Sequence, residues 1–130
     1  MRRKKYVSGD IVVSIIEYYD LKTKSKKFKS RPCMIVALSD KNGDYVVLPI
    51  STISKKDNIN SVYDVLIDIS IYPKLNLSKT SFVRTHKQTI IHRGSIDSII
   101  SNVKSIYEDL YLKIISQMEA FQKKIVDDAL

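Results

Sequence analysis

From Leu21 to Leu38 the chain reads LKTKSKKFKSR-PCMIVAL, and the fold turns on where a strand begins within it. The first part, Leu21–Arg31, holds five lysines and one arginine and no acid. It reads as a flexible cationic loop. The second part, Pro32–Leu38, is an apolar run rich in branched residues and reads as a buried strand. Arg31 then stands at the start of that strand, next to a proline that restricts its backbone. An arginine set on a rigid element can be aimed at an anion, whereas a lysine in mid-loop cannot.

Outward from this stretch the same signals recur. Ser8-Gly9-Asp10 is a turn before the β-branched run Ile11–Ile16. Asn42-Gly43 is a strong hairpin signal and joins the Pro32 strand to Tyr45–Ile50. Ser51–Asn60 is polar and reads as a second flexible loop. Val62–Ile67 is a fourth strand, Asp68–Lys79 is irregular, Ser81–Thr85 is a fifth strand and Gln88–Ile91 a short sixth. From about 102 to 128 the pattern changes. Val103, Ile106, Tyr107, Leu110, Tyr111, Ile114, Met118, Phe121 and Ile125 recur at helical spacing. Asn102 or Ser101 supplies the cap. This stripe serves as core or as a dimer surface. Residues 1–130 therefore read as one mainly β domain with α, a small antiparallel barrel of five or six strands closed by a long C-terminal helix.

Composition narrows the function classes. A single cysteine, Cys33, sits inside the apolar strand, which excludes an internal disulfide and suits a reducing cytoplasm. No apolar run reaches the roughly 18 residues of a membrane span, and none after the basic start reads as a signal peptide. Two histidines and one buried cysteine give no zinc spacing. No phosphate-cradling glycine loop is present. The net charge is +8, and residues 1–31 carry ten Lys and Arg against Asp10, Glu17 and Asp20, a net +7. Such a field favours a polyanionic partner.

The residue types left for chemistry stand beside strand ends. Arg31 precedes one strand. Ser51 and Thr52 end another. Arg84, Thr85 and His86 end a third. Brought together, two guanidiniums would neutralise a phosphate and stabilise growing charge. An imidazole with a pKa near 6.5 would transfer a proton. Each has a plainer alternative. Arg31 reads also as cover for a sheet edge, Ser51 and Thr52 as turn residues, and His86 as a solvated strand-end histidine. His92, beside Arg93-Gly94, reads as structural. Tyr18, Tyr19 and Tyr63 serve either base stacking or barrel packing. Lys22, Lys24, Lys26, Lys27, Phe28 and Lys29, with Thr52, Lys55, Lys56 and Lys87, are the candidate contacts to a nucleic acid.

Gly9-Asp10-Ile11-Val12, Arg31-Pro32 with its apolar strand, Pro49-Ile50-Ser51, Phe82-Val83-Arg84-Thr85 and a closing helix follow one another in an order that resembles the MazF/PemK (Kid-like) toxins of bacterial toxin–antitoxin systems. The resemblance spans roughly Val7 to Met118. It implies an SH3-like barrel that forms a homodimer in the cytoplasm. The implied activity is metal- and cofactor-independent cleavage of single-stranded RNA at short preferred sequences, leaving 2′,3′-cyclic phosphate and 5′-OH ends. It also implies an antitoxin, either an acidic protein or, as in the ToxN-like group that Lys55 would suit, an RNA. By the same resemblance Arg31, Ser51 and Arg84 are catalytic, and His86 stands where the Kid-like Val-Arg-x-Asp segment has its acid. The alternative is a non-catalytic barrel of the same shape: a gyrase inhibitor, an RNA-binding module or a basic partner of an acidic antitoxin.

Overall fold

The computed structural model describes residues 5–130, so the basic run Arg2 to Lys4 lies outside the described residues. The described residues form seven antiparallel strands followed by helix: β1 (Asp10–Asp20), β2 (Ser25–Leu38), β3 (Asp44–Ser51), β4 (Asp64–Ile67), β5 (Ser81–Arg84), β6 (Thr89–His92), β7 (Ile96–Asn102), α1 (Val103–Ile106) and α2 (Glu108–Ala129). The sheet order is β4-β5-β3-β2-β1-β7, with β6 also on β3. This is the expected small antiparallel barrel with a long C-terminal helix, with one strand more than the five or six expected. The hydrogen-bonded path ends at β4 and β7 rather than closing. A core of Ile11, Met34, Leu48, Ile67 and Val83 fills the curl, and Leu110, Ile114 and Met118 of α2 pack onto it. Burying a side chain such as Ile114, which is 0 % exposed, stabilises by about 1.5–3 kcal/mol.

The main correction concerns the cationic loop. Ser25–Arg31 is strand, not loop, and Arg31 lies within β2 rather than at its start. The β1–β2 pairing runs unbroken from Ile11↔Met34 to Asp20↔Ser25, so the two strands form a long arm reaching out of the sheet. Only residues 21–24 turn, and Lys24 takes the left-handed position at φ 53° that glycine or asparagine usually fills. Lysine and serine are weak strand formers. Here the ladder to β1 holds them, with Lys27 on Asp20 at 3.0 Å and Lys26 on Glu17 at 3.7 Å. β7 pairs β1 with two register shifts.

At the other end of β1, Gly9 has φ +89°, and a Cβ there would meet Lys104 Cβ at 2.7 Å. The bare glycine lets the chain pass under α1. Its carbonyl accepts from Val103 N at 2.9 Å, and Asn102 is the cap, accepting from Ser105 N. The Asn-Gly hairpin is as expected, with Gly43 at φ +97°. The helical stripe splits in two: Leu110, Ile114 and Met118 are core, whereas Ile106 and Ile125 are exposed.

Candidate active site

The site lies where the sheet divides. β2 and β3 pair as far as Cys33↔Pro49. Past that point β2 leaves with β1, and β3 leaves with β5 from Ile50↔Val83 onward. Arg31 and Ser51 face one another across the opening fork, and Arg31 Nη1 donates to Ser51 Oγ at 3.2 Å. The guanidinium also lies 5.5 Å from the Tyr18 ring centroid, a cation–π contact. Its Nε is buried and has no hydrogen-bond partner among the described residues. No salt bridge links Arg31 to a carboxylate among the described residues. Its charge is therefore held in place without being neutralised.

The opposite wall comes from β4, β5 and α2. Asp64 opens β4 and is the register partner of Arg84 at the end of β5. Its side chain is 0 % exposed and accepts from Arg84 Nε at 3.1 Å. It also accepts from the Asn60 backbone N–H at 2.8 Å. His86 Nδ1 lies 3.7 Å from the same carboxylate, and the His86 side chain is 12 % exposed. The imidazole is walled by Tyr63 and by Phe121 of α2, each with its ring centroid 6.0 Å away. Gln122 of α2 donates to Gln88 Oε1 at 2.9 Å, which ties the helix to the segment after His86. Burial lowers the His86 pKa below its ordinary 6.5; Asp64 opposes this, while Arg84 and Lys87 add to it. The shift favours the neutral ring. Nδ1 is buried against Asp64 and makes no hydrogen bond among the described residues, which leaves Nε2 as the nitrogen for a substrate.

A cleft of about 460 Å³ joins the two walls, with Tyr18, Arg31, Ser51, Arg84, His86 and Lys87 among its lining residues. Sequence order thus brings Arg31, Ser51, Arg84 and His86 to one place. His86 is not a solvated strand-end residue. Thr52 lines neighbouring clefts on the far side of Ser51. Lys29 lines one of these as well. Lys22 and Lys24 sit in the turn at the tip of the arm, with Lys26, Lys27 and Phe28 next to it on β2; none of the five is in the cleft lining, although Lys27 and Phe28 pair with Tyr18 and Glu17, which are. Phe28 is 69 % exposed. Lys55 and Lys56 stand exposed at a short 3-10 turn, Lys56–Asn58, beside the loop after Ser51.

Asp64 is the functional candidate that sequence reasoning missed. Its one local signal is an acid inside the β-branched run Val62–Ile67, where aspartate is disfavoured. Its partner Arg84 is known only from strand register. His92 is structural, as expected: Nδ1 accepts from Gly94 N and Nε2 meets Asn42 O. Cys33 is fully buried, and burial pushes its thiol up to about 12, which removes it as a nucleophile. Among the described residues no group of three or more His, Cys, Asp and Glu side chains gathers to hold a metal, and no helix is long and apolar enough to cross a membrane. No protein-family model matches the chain, and no curated protein matches it.

Proposed function

We propose that this protein is an endoribonuclease of the MazF/PemK kind that cuts single-stranded RNA without a metal. The observation that carries the reading is the shared cleft. An unneutralised arginine bonded to a hydroxyl faces a neutral, half-enclosed histidine backed by an Asp–Arg pair. In this reading Arg31 binds the scissile phosphate, with Ser51 orienting a non-bridging oxygen. His86 Nε2 takes the proton from the ribose 2′-OH. The 2′-oxygen forms a bond to phosphorus, and the bond from phosphorus to the 5′-oxygen breaks. The products are a 2′,3′-cyclic phosphate and a 5′-OH, the leaving oxygen being protonated from solvent. Arg31 and Arg84 stabilise the extra negative charge of the phosphorane, a role worth on the order of 10²–10³ in rate for each donor lost.

Asp64 supplies a carboxylate beside Arg84 from a different strand, where the Kid-like pattern has its acid two residues after the arginine. Here it holds Arg84 and faces His86. A non-catalytic barrel is the better reading where no carboxylate stands beside the arginine, and Asp64 supplies one here. The basic arm suits a polyanion, and the partner that silences the protein is by the same reading an acidic protein or an RNA antitoxin. The homodimer remains part of the proposal.

The test is Arg31→Ala against wild type on a single-stranded RNA pool. Cleavage should vanish while the circular-dichroism spectrum and melting temperature stay near wild type. A folded Arg31→Ala protein that still cuts would overturn the assignment. Tight RNA binding by wild type with no cleavage on long incubation would favour the non-catalytic barrel instead.

A further inference from the structure

Both faces of the fork are hollow. Side chains alternate along a strand, so Ser30, Pro32, Ile50 and Thr52 point away from the face that carries Arg31, Pro49 and Ser51. On the Arg31 face lies the 460 Å³ cleft described above. On the other face a cleft of about 250 Å³ opens between Ser30, Pro32 and Thr52 on one side and Ser78 and Lys79 on the other. A third hollow of about 310 Å³, with Thr52, Ser54 and Asn58 in its wall, lies at the same fork. Arg31 and Ser51 line all three. A chain whose reacting phosphate rests on Arg31 therefore meets a second walled position directly behind it.

The front and rear clefts differ in chemistry. The front cleft has Tyr18 and His86 rings and one acid, Glu17, in its lining. The rear cleft has no aromatic ring and no carboxylate. Its lining offers hydroxyls, with Lys29 and Lys79 in addition to Arg31. Lys29 and Lys79 form no ion pair among the described residues, unlike Lys26 and Lys27 on the arm. The Lys79 backbone is tied down, since Ser81 Oγ donates to its carbonyl at 2.8 Å. Such a lining suits a phosphate and a sugar and offers no aromatic face on which to stack a base.

We propose that the rear cleft is a second phosphate subsite, which holds the phosphodiester next to the scissile one through Lys79 and reads its charge rather than its base. The inference rests on the ribonuclease reading for the order of the two phosphates, but the anion site itself does not. A substrate with a single phosphodiester would leave the subsite empty.

Lys79→Glu tests it, Lys79 being an exposed residue outside the catalytic cleft. With a fluorescent single-stranded RNA that wild type cuts, the variant should raise KM on the order of tenfold with kcat unchanged. Lys79→Arg should restore KM. The slope of log affinity against log salt should become shallower by about 0.7, the value for one lost single-strand phosphate contact. An RNA with a neutral methylphosphonate at the linkage beside the cut should bind wild type and Lys79→Glu equally. Wild-type KM and salt slope in Lys79→Glu, alongside an inactive Arg31→Ala, would overturn the subsite and leave the ribonuclease reading standing. If wild type cuts no RNA, the ribonuclease reading fails, and the binding slope alone decides the subsite: shallower in Lys79→Glu supports it, unchanged overturns it.

Discussion

The two walls of the cleft handle charge in opposite ways. On the arm side Arg31 is held by a hydroxyl and an aromatic face, and no carboxylate pairs with it among the described residues. On the β4–β5 side Arg84 is locked to a carboxylate that is 0 % exposed, and His86 is packed between that carboxylate and two aromatic rings. Desolvating a charge is costly unless it is paired. The arm wall keeps Arg31 within reach of an incoming anion, whereas the other wall compensates its buried groups internally. One wall is suited to binding a phosphate, the other to setting a proton's position. The two arginines meet the phosphate differently prepared: Arg31 brings a charge held by a hydroxyl, Arg84 one already shared with a carboxylate.

Removing the imidazole is the strongest way to break this contrast. His86→Gln should lower the cleavage rate by about 10²–10⁴ while RNA affinity, carried by the arm wall, changes little. Full activity in that variant between pH 5 and 8 would remove the histidine from the mechanism. His86 also has a stability signature. Its pKa is lowered in the folded protein, so the folded state binds fewer protons than the unfolded chain. The contribution is fully present above the ordinary 6.5 and is lost as pH falls through the lowered value. Urea midpoints should therefore drop between pH 7 and pH 5 in wild type, and His86→Gln should drop less.

Asp64→Asn comes next. It takes the charge from the partner of Arg84, and breaking a buried pair from one side costs about 3 kcal/mol. Because Asp64 raises the His86 pKa, the acid limb of the pH–rate profile should also move lower in this variant. A wild-type limb with lost stability alone would make Asp64 purely structural. The smallest effect belongs to Phe121→Ala. Opening the aromatic wall relieves the desolvation of His86, so the acid limb should move up towards 6.5 with the mechanism intact.

The legible parts of this fold are the parts whose signal is local. Ile11–Ile16, Tyr45–Ile50 and the 3.6-residue stripe of α2 announce themselves through burial, because each of these runs buries much of its side-chain surface in one core. Ser25–Arg31 does not. Its side chains are mostly exposed, and it is a strand because β1 pairs with it, a long-range fact that lysines and serines do not record. β7 is hidden likewise, since Ile96–Asn102 mixes Ser and Asp with Ile and pairs β1 across two irregularities. The site follows the same division. Ser51 and Arg84 close strands that the sequence marks, His86 follows two residues on, and Arg31, though inside β2, is marked by the proline after it. Asp64 joins them only through the register of β4 on β5, and Phe121 only through the docking of α2.

The most direct measurement is end-group analysis of a defined single-stranded RNA incubated with the protein in excess EDTA, beside the same oligonucleotide with 2′-O-methyl riboses. The expected result is cleavage of the unmodified RNA to 2′,3′-cyclic phosphate and 5′-OH ends, with the methylated strand intact. Cleavage that needs a divalent metal, or products carrying 5′-phosphate, would contradict a 2′-OH attack assisted by His86 and held by Arg31.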